Sequence, residues 1–206
     1  MSLAAPSGRA ALDARLPTTV RAAEVAPKAW RNGGGRTREL LTWPAGPDWS
    51  FRLSLADIAA DGPFSAFPGV QRWFAVIEGA GVILTLADGE RRITARSEPL
   101  CFDGAEAPEC RLVEGATRDL NLMLRGGARG CLRRASSGVP WREAWPWRGC
   151  FTTAAARWHG AAGRVVDLDA NTLLCGLGPE PCRMVARGAE APMFWIGADV
   201  DREEGA

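Results

Sequence analysis

The sequence predicts an all-β fold, either a sandwich or a barrel, and three observations support this prediction. Apolar side chains alternate with polar or small ones along residues 51–56, which is the period of a strand with one buried face. Asp88-Gly89 stands between two apolar runs and is a strong short-range signal for a β-hairpin. The 206 residues include 24 glycines and 14 prolines, an excess that favours short strands and turns over long helices.

In the first half of the chain, the alternation assigns side chains to two faces of each strand. Phe51, Leu53 and Leu55 are predicted to share one face, and residues 52, 54 and 56 the other. Further strand candidates are 73–78, 82–87, 91–94, 110–113 and 118–124. Turn-rich segments separate them and no long helical pattern intervenes, which predicts antiparallel sheets.

The second half shows weaker signals of the same kind. A glycine-rich connector at 126–130 divides the chain into predicted domains 18–125 and 126–206, after a flexible tail at 1–17. Strand candidates here are 151–153, 165–168, 171–175, 183–186 and 193–196. The irregular spacing of Trp141, Trp145 and Trp147 favours packing in a core over a flat platform for stacking sugars.

Composition narrows the possible partners and cofactors. The net charge is +1, without the basic excess typical of nucleic-acid binding. The single histidine, His159, has surface-loop surroundings, and no two of the six cysteines form a CxxC pair, so zinc and multi-histidine metal centres are not expected. Because the six cysteines lack the spacing of a metal-binding or redox motif, we expect them to be reduced thiols in a cytoplasmic protein. We expect no membrane segment, because no apolar run of about 18 uncharged residues is present.

Two loop segments contain candidate binding residues. In residues 30–39, three consecutive glycines follow Asn32, and their amides could converge on an anion; the alternative that composition favours is a turn or bulge before a strand. In residues 62–72, Phe64 and Phe67 could form an apolar wall beside a carboxylate-binding Arg72, or could pack in the core.

A third candidate segment is the strand at 117–123. If Leu120 and Leu122 are core residues, Asp119 and Asn121 lie on the opposite face, which is either solvent or the lumen of a barrel. The pattern alone favours solvent. A carboxylate beside an arginine is expected to have a lowered pKa, which suits Asp119 to binding more than to proton abstraction.

Three motifs together resemble the HutD/Ves family: WRNGGGRTREL at 30–40, FRLSLADIAADGPFSAFPGVQRWFAVIEGAGVIL at 51–84 and TRDLNLM at 117–123. The resemblance covers about half of the chain and is faint beyond residue 125. It implies a bicupin, in which two cupin-type β-barrels (RmlC-like jelly rolls) pack in one chain, the second one degenerate. It also implies an association with bacterial histidine utilisation, in which the barrel has been suggested to sense an intermediate such as formylglutamate.

Many cupins hold a metal with histidines and a glutamate on the lumen strands, but the corresponding segment here, FSAFPGVQRW, contains no histidine. We therefore expect a metal-free cupin without a cofactor. The resemblance to the HutD/Ves family further implies that it binds a small anionic metabolite, such as a formylglutamate-like N-acyl amino acid, and modulates histidine utilisation or a related catabolic pathway. The predicted ligand-binding residues are Trp30, Asn32, Thr37, Arg52, Phe64, Arg72, Asp119, Asn121 and Met123.

Other functions stay open at this point. One is a cofactor-independent isomerase or hydrolase with Asp119 as its base, although a catalytic role is the less expected one. Another is a carbohydrate-binding or protein-interaction module. An exposed strand edge makes a homodimer plausible.

Overall fold

The computed structural model describes residues 17–188 and 191–200, so the predicted N-terminal tail lies outside the described residues except for Pro17. The described chain is built from β-strands and three 3-10 helices of three residues each. None of these helices has the length or hydropathy needed to cross a membrane.

Eleven strands precede residue 126. They are Thr18–Arg21 (β1), Lys28–Ala29 (β2), Gly35–Trp43 (β3), Phe51–Ile58 (β4), Gly62–Pro63 (β5), Val70–Glu78 (β6), Val82–Leu86 (β7), Gly89–Ile93 (β8), Leu100–Asp103 (β9), Glu109–Leu112 (β10) and Thr117–Arg125 (β11). Seven described strands follow them. These are Arg129–Arg134 (β12), Trp147–Thr152 (β13), Ala156–His159 (β14), Val165–Leu168 (β15), Thr172–Cys175 (β16), Arg183–Ala186 (β17) and Met193–Asp199 (β18).

The described strands form four antiparallel sheets. A six-stranded sheet has the order β2-β3-β4-β11-β6-β9, and a four-stranded sheet has the order β5-β10-β7-β8. A five-stranded sheet has the order β1-β16-β13-β18-β12, and a three-stranded sheet has the order β15-β14-β17. Each sheet is open within the described residues, so the architecture is a layered β-sandwich.

Three hydrophobic cores lie between successive sheets. The central core joins the six-stranded and five-stranded sheets and contains fully buried residues such as Leu53, Leu122, Phe151 and Ile196. The N-terminal core lies between the six-stranded and four-stranded sheets, as shown by Phe74 and Leu84. The C-terminal core lies between the five-stranded and three-stranded sheets, as shown by Trp195 and Met184. The sheets therefore stack in the order four, six, five, three.

The first strand of the chain crosses between the two halves. Residues of β1 pair with β16 over the register Thr18↔Cys175 to Arg21↔Thr172. One strand from the first predicted domain thus contributes to the sheet of the second. The division of the chain after residue 125 stays a prediction.

Most predicted strands are present, with shifted ends. The candidate at 165–168 coincides with β15 and that at 183–186 with β17, whereas β12 begins within the expected connector. The expectation that His159 lies in a surface loop is wrong, because it is half-buried at the end of β14, where it pairs with Val165 and Arg183. The four-residue strand β14 is too short for periodicity to identify it.

The tryptophans of residues 141–147 pack inward. Trp147 contacts Phe51 in the central core, with ring centroids 4.7 Å apart. Trp141 stacks on Trp195 in the C-terminal core, with ring centroids 5.0 Å apart. Trp145 is half-buried against the same core. The positions match the prediction of core packing, and they leave no flat row of exposed rings among these three residues.

Candidate functional site

The polar face of the six-stranded sheet lines a cavity of about 680 Å³. Strand alternation sends Leu120 and Leu122 into the central core and their neighbours Asp119, Asn121 and Met123 to the opposite face. Asp119 and Asn121 are buried there, so the expectation that they face solvent is wrong. The reason is tertiary: the segment around residues 63–67 covers this face of the sheet.

The sheet register arranges the cavity side chains in rows. Arg52 on β4 and Arg72 on β6 are both paired with Met123 on the intervening strand β11. Directly paired residues in antiparallel strands share a face, so the two guanidinium groups stand on either side of one methionine. In the next rows, Ser54 is the partner of Asn121 and Ala56 the partner of Asp119.

Arg72 is the most deeply buried cation of the cavity, with 5% of its surface exposed. Its guanidinium carbon lies 5.0 Å from the ring centroid of Phe64 and 5.1 Å from that of Phe102. Nη2 donates a hydrogen bond to Oδ1 of Asn121 at 3.1 Å, while Nε and Nη1 have no protein partner. Burial lowers the pKa of Arg72 to about 10, with an opposing contribution from Asp119.

Asp119 is completely buried on the neighbouring strand. Its Oδ1 accepts a hydrogen bond from Nδ2 of Asn121, and Oδ2 has no partner. Burial raises the pKa of this carboxyl well above its usual range, and Arg72 only partly opposes the shift. The expectation of a lowered pKa is therefore wrong, because the two groups are joined through Asn121 and loss of hydration outweighs their attraction.

Arg52 lies nearer the mouth. Its guanidinium carbon is 4.7 Å from the ring centroid of Trp49, and Nη2 is 2.8 Å from Sδ of Met123. Nη1 is 3.9 Å from Oε1 of Glu39, whose other oxygen binds Nζ of Lys28 at 2.6 Å. Burial lowers the pKa of Arg52. Its Nε, like two nitrogens of Arg72, has no partner.

The triple-glycine segment forms a closed turn at the rim. Gly33 donates to the carbonyl of Trp30 at 3.1 Å, and Gly34 donates to Oδ1 of Asn32 at 3.0 Å. These two amides are used within the turn, which agrees with the turn before a strand that composition favours; they do not form the alternative anion site. A Cβ on Gly35 would collide with the carbonyl of Asp57, which explains the glycine at the start of β3.

The turn also fixes one wall of the cavity. Nε1 of Trp30 donates to Oγ1 of Thr37 at 2.7 Å, which holds the indole over the strand. Phe64 belongs to the N-terminal core and also lines the cavity, so both of its predicted roles are present.

The structure brings every predicted ligand-binding residue to this one cavity. They are Trp30, Asn32, Thr37, Arg52, Phe64, Arg72, Asp119, Asn121 and Met123. Their role in binding stays a prediction. Sequence reasoning missed three charged residues of the wall, Lys28, Arg31 and Glu39. Glu39 is two residues from Thr37 on the same strand face, which was a usable signal once Thr37 was chosen.

Within residues 17–188 and 191–200, no group of three or more His, Cys, Asp or Glu side chains could hold a metal ion. Glu78, at the end of β6, is exposed, and its Oε2 pairs with Arg118 at 2.8 Å.

The model of one protein family, described as HutD, matches residues 22–191. The chain belongs to the HutD family. Two curated relatives are "Protein Ves" from Citrobacter koseri, 41% identical over 98 residues, and "Protein Ves" from Escherichia fergusonii, 37% identical over 98 residues. These alignments cover 47% of this chain and 51% of each relative, so the chain spans about half the length of the curated relatives it matches.

Solved structures extend the similarity to nearly the whole HutD-family chain. A conserved protein of unknown function from Pseudomonas aeruginosa PAO1 has a TM-score of 0.78 at 28% identity, covering 90% of this chain and 100% of that one. HutD from Pseudomonas fluorescens SBW25 has a TM-score of 0.76 at 26% identity, covering 89% and 98%. Oxalate decarboxylase from Bacillus subtilis shares the fold alone, with a TM-score of 0.58 at 9% identity, covering 88% and 77%. The fold is therefore a cupin-type β-sandwich.

Proposed function

We propose that this HutD-family chain binds a small anionic metabolite in the cavity of the six-stranded sheet. The observation that supports this most is a set of buried polar atoms without protein partners: Nε and Nη1 of Arg72, Nε of Arg52 and Oδ2 of Asp119. A buried polar group without a hydrogen bond costs about 1–3 kcal/mol. A ligand that supplies acceptors to both arginines and a hydrogen-bonding group to Oδ2 of Asp119 would satisfy these atoms.

The arrangement fits an N-acyl amino acid with two carboxylates, such as formylglutamate. One carboxylate would pair with Arg72 at the bottom of the cavity and the other with Arg52 nearer the mouth. Asn121 and Asp119 offer partners for the acyl amide. The volume of about 680 Å³ lies within the range of small-molecule sites, and aromatic walls from Trp30 and Phe64 suit the apolar part of such a ligand.

The cellular role in this proposal follows from the family. Membership in the HutD family is consistent with a cupin related to histidine utilisation. We infer that occupancy of the cavity modulates that or a related catabolic pathway in the cytoplasm. The proposal also includes the finer description of the fold as a bicupin, supported by the pairing of a four- and six-stranded sandwich with a five- and three-stranded one.

Isothermal titration calorimetry with formylglutamate, urocanate and glutamate tests the binding function. We expect formylglutamate to bind, and Arg72→Gln to weaken binding by roughly 2–4 kcal/mol through loss of a charge-assisted pair. Arg52→Gln is a second variant should the buried substitution impair folding. Arg96→Gln is the matched control, because Arg96 is exposed and does not line the cavity.

The absence of heat from all three compounds at millimolar concentration would overturn the proposal. Unchanged affinity in a folded Arg72→Gln variant would show that the cavity is wrongly assigned.

One observation favours a second candidate function, a cofactor-independent isomerase or hydrolase. A buried carboxyl with a raised pKa, such as Asp119, is suited to proton transfer near neutral pH. Incubation of EDTA-treated protein with pathway intermediates, followed by NMR, tests this. Turnover that is lost in Asp119→Asn would support the enzyme, and unchanged compounds would exclude it for those intermediates.

A further inference from the structure

A second cavity, of about 310 Å³, lies on the three-stranded sheet. His159 on the middle strand is paired with Val165 on one side and Arg183 on the other, so the three side chains share a face. Their neighbours Trp158 and Met184 belong to the C-terminal core. The cavity is therefore on the outer face of this sheet, away from that core.

The lining of this cavity is strongly cationic. Arg142, Arg164 and Arg183 line it together with His159, and no acidic side chain does. Within the described residues, these three arginines make no ion pair or side-chain hydrogen bond. By contrast, Nε of Arg157 on the same sheet pairs with Asp167 at 2.7 Å. Three arginines that line one cavity with no acidic residue among the lining form a site suited to an oxyanion.

Apolar surface adjoins the charge. Val165 lines the cavity and is 50% exposed. Val139 is 54% exposed and is bonded directly to Pro140, another lining residue. These two are the large hydrophobic side chains that stand exposed in the described part of the chain. Their position beside the arginines indicates a ligand with an anionic head and an apolar body.

We propose that this outer cavity binds a small amphipathic oxyanion, with its carboxylate or phosphate group held by Arg142, Arg164 and Arg183 and its apolar body against Val165. The site shares no lining residue with the cavity of the six-stranded sheet. It therefore stands independently of the function proposed for that cavity.

The single histidine makes this site directly observable. In protein without a histidine tag, the imidazole C–H resonances in an NMR spectrum come from His159 alone. The probes are hexyl phosphate, hexanoate, inorganic phosphate and acetate, titrated at constant pH. We expect saturable shifts of the His159 resonances with at least one six-carbon anion, at least about tenfold tighter than with the matching small anion. Whichever of hexyl phosphate and hexanoate binds more tightly identifies the preferred headgroup.

Variants separate a built site from general charge attraction. Arg164→Gln and Arg183→Gln are each expected to weaken binding by about tenfold or more. Arg92→Gln is the control, since Arg92 is also exposed but lies on β8, outside the cavity. The proposal is overturned by the absence of a saturable shift up to about 10 mM for both six-carbon anions, or by equal affinity of long and small anions. Equal weakening by all three variants overturns it as well.

Discussion

The partly buried carboxylate of Asp57 accepts hydrogen bonds from three arginines. Its Oδ2 accepts hydrogen bonds from Nε of Arg36 at 2.7 Å and Nη1 of Arg38 at 3.0 Å, and its Oδ1 from Nε of Arg118 at 2.6 Å. Burial raises the pKa of Asp57, but the hydrogen bonds from Arg36 and Arg118 outweigh it and lower the pKa to about 2. Its contribution to stability is therefore present above pH 4 and is lost as the pH falls towards 2.

We predict that Asp57→Asn lowers the free energy of unfolding by about 1–2 kcal/mol at pH 7 and that this difference shrinks at pH 3. Urea unfolding at both pH values measures it. Asp88→Asn is the control, because among the described residues the ion pair of Asp88 is an exposed contact with Arg91 alone. A stability difference between wild type and Asp57→Asn that is the same at both pH values would contradict the argument.

The raised pKa of Asp119 predicts the opposite dependence of folding stability on pH. Because burial raises its pKa, the folded state holds a proton that the unfolded state releases above pH 4, and stability falls as the pH rises through this window. Asp119→Asn mimics the protonated carboxyl without titrating. We expect the stability of the variant relative to wild type to be greater at pH 8 than at pH 5 by at least about 1 kcal/mol.

Thermal or urea unfolding at the two pH values checks this prediction. A variant that is destabilised equally at pH 5 and pH 8 would show that Asp119 is ionised in the folded protein.

At the scale of elements, β4 and β13 meet through one aromatic pair in the central core. Phe51 is fully buried and Trp147 is 4% exposed, with their ring planes inclined at 54°. We predict that Phe51→Ala and Trp147→Ala each cost about 3–5 kcal/mol of stability. Because the rings touch, the double variant is expected to show a coupling of about 0.5–1.5 kcal/mol.

The double-mutant cycle by urea unfolding is the measurement. Ala128→Gly is the control, because the small side chain of Ala128 is only partly buried against the same core. Its effect measures the stability cost of a minor change at this core. Strict additivity of Phe51→Ala and Trp147→Ala would mean that the two strands do not meet in this way.

The sequence predicted the two faces of each long strand but not their surroundings. Alternation separated Leu120 and Leu122 from Asp119 and Asn121, yet both faces proved to be buried. Which face is covered by the 63–67 segment depends on tertiary packing that a local pattern does not contain. Alternation from Thr37 indicated the face of Glu39, but its position beside Ser54 and near Arg52 depends on the pairing of β3 with β4.

At the scale of the whole molecule, the central core belongs to both halves. Leu53 and Leu122 from the six-stranded sheet pack with Phe151 and Ile196 from the five-stranded sheet. In addition, β1 pairs with β16 in the second half. Residue patterns could not reveal this sharing of a core and a sheet between the two halves. The glycine-rich segment at 126–130 is visible in the sequence, whereas the pairing of β1 with β16 is not.

We therefore predict one cooperative unfolding transition for the whole chain. Because neither half can unfold without exposing the shared core, far-UV circular dichroism and tryptophan fluorescence are expected to give the same urea midpoint. Two separated transitions would show that the halves are independent domains. Analytical ultracentrifugation of the same samples tests the predicted homodimer.

The most direct test of the anion-binding cavity is a crystal structure of the chain with formylglutamate. The account predicts electron density in the cavity of the six-stranded sheet, with one carboxylate within hydrogen-bond distance of Nε or Nη1 of Arg72 and a polar atom of the ligand facing Oδ2 of Asp119. Ligand density elsewhere on the surface, with the Arg72 side chain turned out into solvent, would contradict it.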